Sequence, residues 1–80
     1  MLLRTLNQLK IGDCYRPQHS CDNNSWRVVL GFSKKGNPRS EWISPKFNGM
    51  IAVEVQRGAR RFEIFEGSST QLREMLLSTP

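Results

Sequence analysis

Three groups of residues in this sequence have types and spacings that chemistry could use. Cys14, His19 and Cys21 form a C-x4-H-x-C run. Two thiols with an imidazole suit zinc, but a structural zinc takes four ligands, commonly as two close pairs, and no second pair follows. Asp13 or Asp22 would have to complete the set, an unusual choice for a structural site. The run is read as incidental thiols beside a polar loop, so no metal and no other cofactor is expected. A Cys–His nucleophile needs an oriented imidazole beside a thiolate. His19 is the sole histidine and sits in turn-forming sequence, "PQHSCDNNS", which argues against that use.

The second group is carboxylate. If Glu54 and Glu63 face each other across a hairpin, two like charges lie side by side, an arrangement that can separate their pKa values for acid–base work. Directly opposed like charges cost roughly 0.2–1 kcal/mol. With Arg61 two residues from Glu63, a solvated and arginine-balanced pair is the simpler reading. No enzyme is expected.

The third group is basic. The chain carries a formal charge of +5. Between Lys34 and Arg61 there are seven basic residues, Lys34, Lys35, Arg39, Lys46, Arg57, Arg60 and Arg61, against Glu41 and Glu54 alone. Seven less two is five, so this stretch holds the whole excess, while the rest of the chain balances. A one-signed stretch attracts polyanions. Arginine's planar fork suits phosphate oxygens, and many such contacts make binding salt-sensitive. The candidate binding residues are Lys34, Lys35, Arg39, Arg57, Arg60 and Arg61. Trp42 and Phe65 would add base stacking if exposed, but a domain this small needs its aromatics inside.

Elements must position these groups. Eighty residues make a single small domain, 1–80, with no linker and no repeat. Leu2, Leu3, Leu6 and Leu9 lie at helical spacing or form an irregular apolar lead-in. "LKIGDCYRP" reads as a strand with a turn at Gly12-Asp13. Trp26, Val28, Leu30 and Phe32 alternate with Arg27, Val29, Gly31 and Ser33 as in a half-buried strand. "SKKGNPRS" is a breaker-rich loop, "EWIS" a short return strand, and Asn48-Gly49 a turn.

Gly58-Ala59 fits a two-residue hairpin turn that would place Val55 opposite Phe62 and Val53 opposite Ile64. That turn sets Arg57 against Arg60, a repulsion that a bridging anion would relieve. Ser68 with Gln71 forms a capping box ahead of a helix from about 69 to 77 with Leu72, Met75 and Leu76 on one stripe. The fold expected is α+β: a small antiparallel sheet of four to five short strands, a meander or an SH3-like barrel, with a C-terminal helix.

The start Met1–Leu6 is too short and too interrupted for a signal peptide's apolar core, and no stretch is long enough to span a membrane. A cytoplasmic setting with reduced thiols is expected. Two functions from different classes follow. The first is a non-enzymatic nucleic-acid-binding module for DNA or RNA that contacts phosphates through its hairpin tips. RNA-recognition aromatics, a GXXG clamp and zinc-finger spacing are all missing from the sequence, so contact would be to backbone and shape. The second is a small interaction or inhibitor protein, of the size found among phage and mobile-element proteins, docking on a larger acidic partner. An exposed apolar patch or an unprotected edge strand would favour the second.

Overall fold

The computed structural model describes residues 2–55 and 60–78. Six strands form one antiparallel sheet: β1 (Leu2–Thr5), β2 (Cys14–Pro17), β3 (Arg27–Phe32), β4 (Pro38–Trp42), β5 (Ile51–Val53) and β6 (Arg61–Phe65). A single helix, α1 (Ser69–Ser78), follows. The strand order is β1-β6-β2-β3-β4-β5 and the sheet is open. The α+β class, antiparallel sheet and C-terminal helix are as expected, with one strand more than the upper estimate and no barrel closure.

The extra strand is β1. Thr5 ends it, and a single 3₁₀ turn over Leu6–Gln8 begins where the Gln8 side chain accepts the Thr5 N–H at 3.0 Å. The leucines at helical spacing therefore divide. Leu2 and Leu3 lie on a strand, while Leu6 and Leu9 are buried against the sheet.

Each sheet face carries a buried cluster over the start of β3, which explains why the alternation in "WRVVLGF" misleads. On one face Tyr15, Val29, Phe62 and Ile64 pack with Leu6 and Leu9. On the other, Cys14, Val28, Trp26 and Ile43 pack beneath Leu72 and Leu76 of α1, with Phe65 alongside. Residues Arg27, Val28 and Val29 are consequently all buried. A register shift between Val29 and Gly31 then breaks the phase, and Leu30 and Phe32, expected inside, are exposed. A bulge of this kind resets which side chains face the core.

α1 begins as its capping box requires. Gln71 N–H donates to Ser68 Oγ at 3.1 Å and the Gln71 side chain accepts from Ser68 N–H at 2.8 Å. Gly49 takes φ 86° in the turn into β5, a conformation that suits glycine.

The hairpin expected at Gly58-Ala59 does not form between β5 and β6. Those residues themselves lie outside the described ones, but the strands flanking them are placed. β5 pairs with β4, Val53 facing Arg39, and β6 lies between β1 and β2, Ile64 facing Leu2 and Tyr15. Three strands separate β5 from β6, and the two run in the same direction. A tight hairpin needs antiparallel neighbours, so the connection is a crossover.

Candidate binding surface

The site builds from the ion pairs outward. Four arginines each meet a carboxylate: Arg4 with Asp13 at 2.8 Å, Arg16 with Glu63 at 3.0 Å, Arg27 with Glu54 at 2.7 Å and Arg73 with Glu41 at 3.5 Å. Glu41 and Glu54 are the two acids inside the basic stretch, and arginines from outside it take both. Lys34, Lys35, Arg39, Lys46, Arg60 and Arg61 keep no carboxylate partner among the described residues. The arithmetic excess seen in sequence is thereby a surface excess.

The Arg27–Glu54 pair is buried on both sides. Arg27 Cζ lies 4.4 Å from the Trp42 ring centre and 5.3 Å from that of Tyr15, so two aromatic faces hold the guanidinium. Its NH1 approaches Glu54 Oε1 without hydrogen-bond alignment, and Arg27 Nε has no hydrogen-bond partner among the described residues. Burial lowers the arginine's pKa, and Glu54 opposes that shift. Beside the pair, the Tyr15 hydroxyl bonds Ser40 Oγ, and burial pushes the phenol upward. Glu54 thus sits on the sheet face opposite Glu63, which bonds Arg16. The expected carboxylate pair is not assembled.

The Cys14–His19–Cys21 group is not assembled either. Cys14 is buried and Cys21 exposed, and among the described residues no three His, Cys, Asp or Glu side chains are grouped to hold a metal. Burial raises the Cys14 thiol to about 11.

The basic candidates separate into two sets. Lys34 and Lys35 sit in the β3–β4 turn, and Arg39 projects from the start of β4, all exposed. Arg60 and Arg61 precede and open β6. Since β6 runs parallel to β3, its first residue lies at the opposite end of the strands from the β3–β4 turn. There Arg60 and Arg61 border a shallow depression of about 460 Å³ with Gln18, His19 and Ser20, and Arg60 stacks 5.1 Å over Phe62. Arg57 lies outside the described residues. Register therefore does not bring the two basic tips to one rim. Trp42 is half-buried on Arg27 and Phe47, and Phe65 packs edge-on to Trp26, so neither offers an open stacking face.

One surface feature has no counterpart in the list of basic candidates. Met50, Ile51, Val53 and Val55 are all exposed along the edge strand β5 and its flanks, Ile51 at 49% and Val53 at 47%. A groove of about 660 Å³ runs nearby, between the β4–β5 connection and α1, lined by Glu41, Ile43, Pro45, Asn48, Arg73 and Leu77. In sequence Val53 and Val55 read as part of the inner face of a hairpin. Their exposure follows from β5 being an outer strand, a property of topology that short-range pattern does not carry.

No protein-family model, curated protein or solved structure matches this chain. No helix among the described residues is long and apolar enough to cross a membrane.

Proposed function

We propose that this chain is a non-enzymatic interaction module that docks on an acidic protein partner through the β4–β5 side of its sheet. The carrying observation is the row of exposed apolar side chains on β5 bordered by cations that have no carboxylate partner among the described residues. Arg39 is Val53's cross-strand neighbour, Lys34 and Lys35 lie in the turn leading into β4, and Lys46 lies in the connection to β5. Exposed apolar residues concentrated on one edge mark contact surfaces for proteins, and the cations select the sign of what approaches.

A phosphate backbone matches the cations but leaves the apolar row without a use. It also gains most from a continuous basic track, whereas the two basic sets sit at opposite ends of the strands. These two points put the protein partner ahead of nucleic acid.

Selection from a displayed library of random twelve-residue peptides on the immobilised chain tests this reading. Enrichment of sequences rich in Asp and Glu with interspersed apolar residues is expected, with loss of enrichment on the triple variant K34E/K35E/R39E. The reading is overturned if no peptide is enriched. It is overturned equally if a 20-nucleotide single-stranded DNA binds more tightly than every selected peptide and is lost from R60A/R61A.

A further inference from the structure

The hydrogen-bond pattern of β5 shows which of its backbone groups lack a partner. Trp42 N–H donates to Met50 O at 2.8 Å, and Glu54 N–H donates to Pro38 O at 2.9 Å. Between them Ala52 pairs with Ser40. In an antiparallel ladder, alternate residues turn both N–H and C=O to the same neighbour. Met50, Ala52 and Glu54 therefore face β4, and Ile51 and Val53 direct their N–H and C=O away from it. The sheet order ends at β5, so these groups meet no further strand among the described residues.

Edge strands are ordinarily blunted by a charged side chain, a proline or a bulge within the strand. Ile51-Ala52-Val53 has none of these, and β5 pairs with β4 in unbroken register. Its side chains alternate as a partner strand would require: Ile51 and Val53 project on one face, and half-buried Ala52 on the other. Both ends of the edge carry positive charge, from Lys46 before β5 and from Arg39, Lys34 and Lys35 toward its far end. The nearby carboxylates are spoken for, Glu41 by Arg73 and Glu54 by Arg27.

We infer that β5 is a docking edge that takes an extended acidic segment of a partner protein as a seventh strand. The backbone of Ile51 and Val53 would exchange hydrogen bonds with that segment. Apolar residues at its centre would lie beside the Ile51 and Val53 side chains, with acidic residues at both ends against the flanking cations. Main-chain pairing supplies affinity in this mode, and the alternating side chains supply selectivity. A second copy of the chain is the less suited occupant, because pairing two β5 edges brings their like-charged flanks together. The inference rests on the protein-docking reading above and specifies its geometry.

The test uses the full chain and the labelled synthetic peptide Glu-Glu-Val-Thr-Val-Glu-Glu, read by fluorescence anisotropy at low and at physiological salt. Binding is expected, weakening with salt, with no binding of the Lys-for-Glu version of the peptide. Val53→Pro removes an outward N–H that the native sheet does not use, a position where an edge strand accepts proline. It should retain the parent's circular dichroism while weakening the peptide about tenfold, the effect of one lost backbone bond with its acceptor left unpaired.

N-methylation of the peptide's own central amides is the arm that does not depend on that variant folding. Sensitivity at alternate amides only is expected. Uniform insensitivity to methylation and to V53P, with binding intact, overturns strand addition but leaves the docking reading standing. Failure of the parent chain to bind the peptide while library selection still enriches acidic sequences has the same meaning. A concentration-dependent dimer in sedimentation that V53P abolishes overturns the choice of occupant.

Discussion

Of the four ion pairs, Arg27–Glu54 is the most deeply buried. A buried ion pair is costly to assemble and more costly to break, since removing one partner strands an unneutralised charge. Glu54→Ala is expected to destabilise the fold by about 3–5 kcal/mol, read as a lowered urea midpoint. Arg27→Met combined with Glu54→Leu should recover most of that loss, because apolar side chains of similar volume remove both desolvation costs. A loss under about 1 kcal/mol for Glu54→Ala would show that water reaches the pair.

The thiols give a second expectation at this scale. Cys21 is exposed and Cys14 is buried with its pKa raised to about 11. At pH 8 a disulfide reagent should label one thiol quickly and the other only as fast as the chain unfolds. Two equal fast phases would contradict the burial of Cys14. The same shift gives a pH dependence. Below the unfolded pKa of 9.0 the thiol is protonated in both states and its contribution is complete. Between 9 and about 11 the unfolded chain loses the proton first, so stability falls as pH rises. Tyr15, also raised by burial, acts with the same sign at higher pH. A urea midpoint that stays level from pH 8 to 10.5 would contradict this account.

Among the elements, α1 was legible in sequence, because its signals are local: a capping box and two buried leucines four residues apart, although Met75, read on the same stripe, is exposed. Leu72→Ala should cost about 2–5 kcal/mol by opening the core beneath the helix, whereas Leu77→Ala, at an exposed position, should change stability by less than about 0.5 kcal/mol. Equal costs, measured by denaturant titration, would mean that the helix packs on a different stripe. The β4–β5 turn at Asn48-Gly49 was legible for the same reason, since Gly49 needs positive φ.

The hairpin at Gly58-Ala59 was not, and the reason is physical. Val53, Val55, Phe62 and Ile64 satisfy a two-residue period whichever strand they meet, and period alone does not name the neighbour. β6 found β1 and β2, two strands distant in sequence whose pairing no local rule anticipates. The candidate site inherits this limit. Lys34, Lys35 and Arg39 were picked out from charge alone, and all three are exposed. Ile51 and Val53 were missed as surface because an outermost position in the sheet is known only from the complete strand order.

For the molecule as a whole, charge and topology meet on one side. The arginine–carboxylate pairs engage four of the seven acids, and Lys34, Lys35, Arg39 and Lys46 remain around an edge that no strand among the described residues covers. Docking there is predicted to be electrostatically steered, so association should slow sharply with added salt while dissociation changes little. Stopped-flow rates at two ionic strengths check this, and a salt effect confined to dissociation would contradict it.

Amide hydrogen exchange followed residue by residue in NMR spectra tests the central claim most directly. In the free protein the N–H groups of Ile51 and Val53 should exchange rapidly, while those of Ala52 and Glu54, turned toward β4, are protected. Saturation with the acidic peptide should slow Ile51 and Val53 to the level of their neighbours. Protection of those two amides before any peptide is added, or their continued rapid exchange at saturation, would contradict a free β5 edge that receives a partner strand.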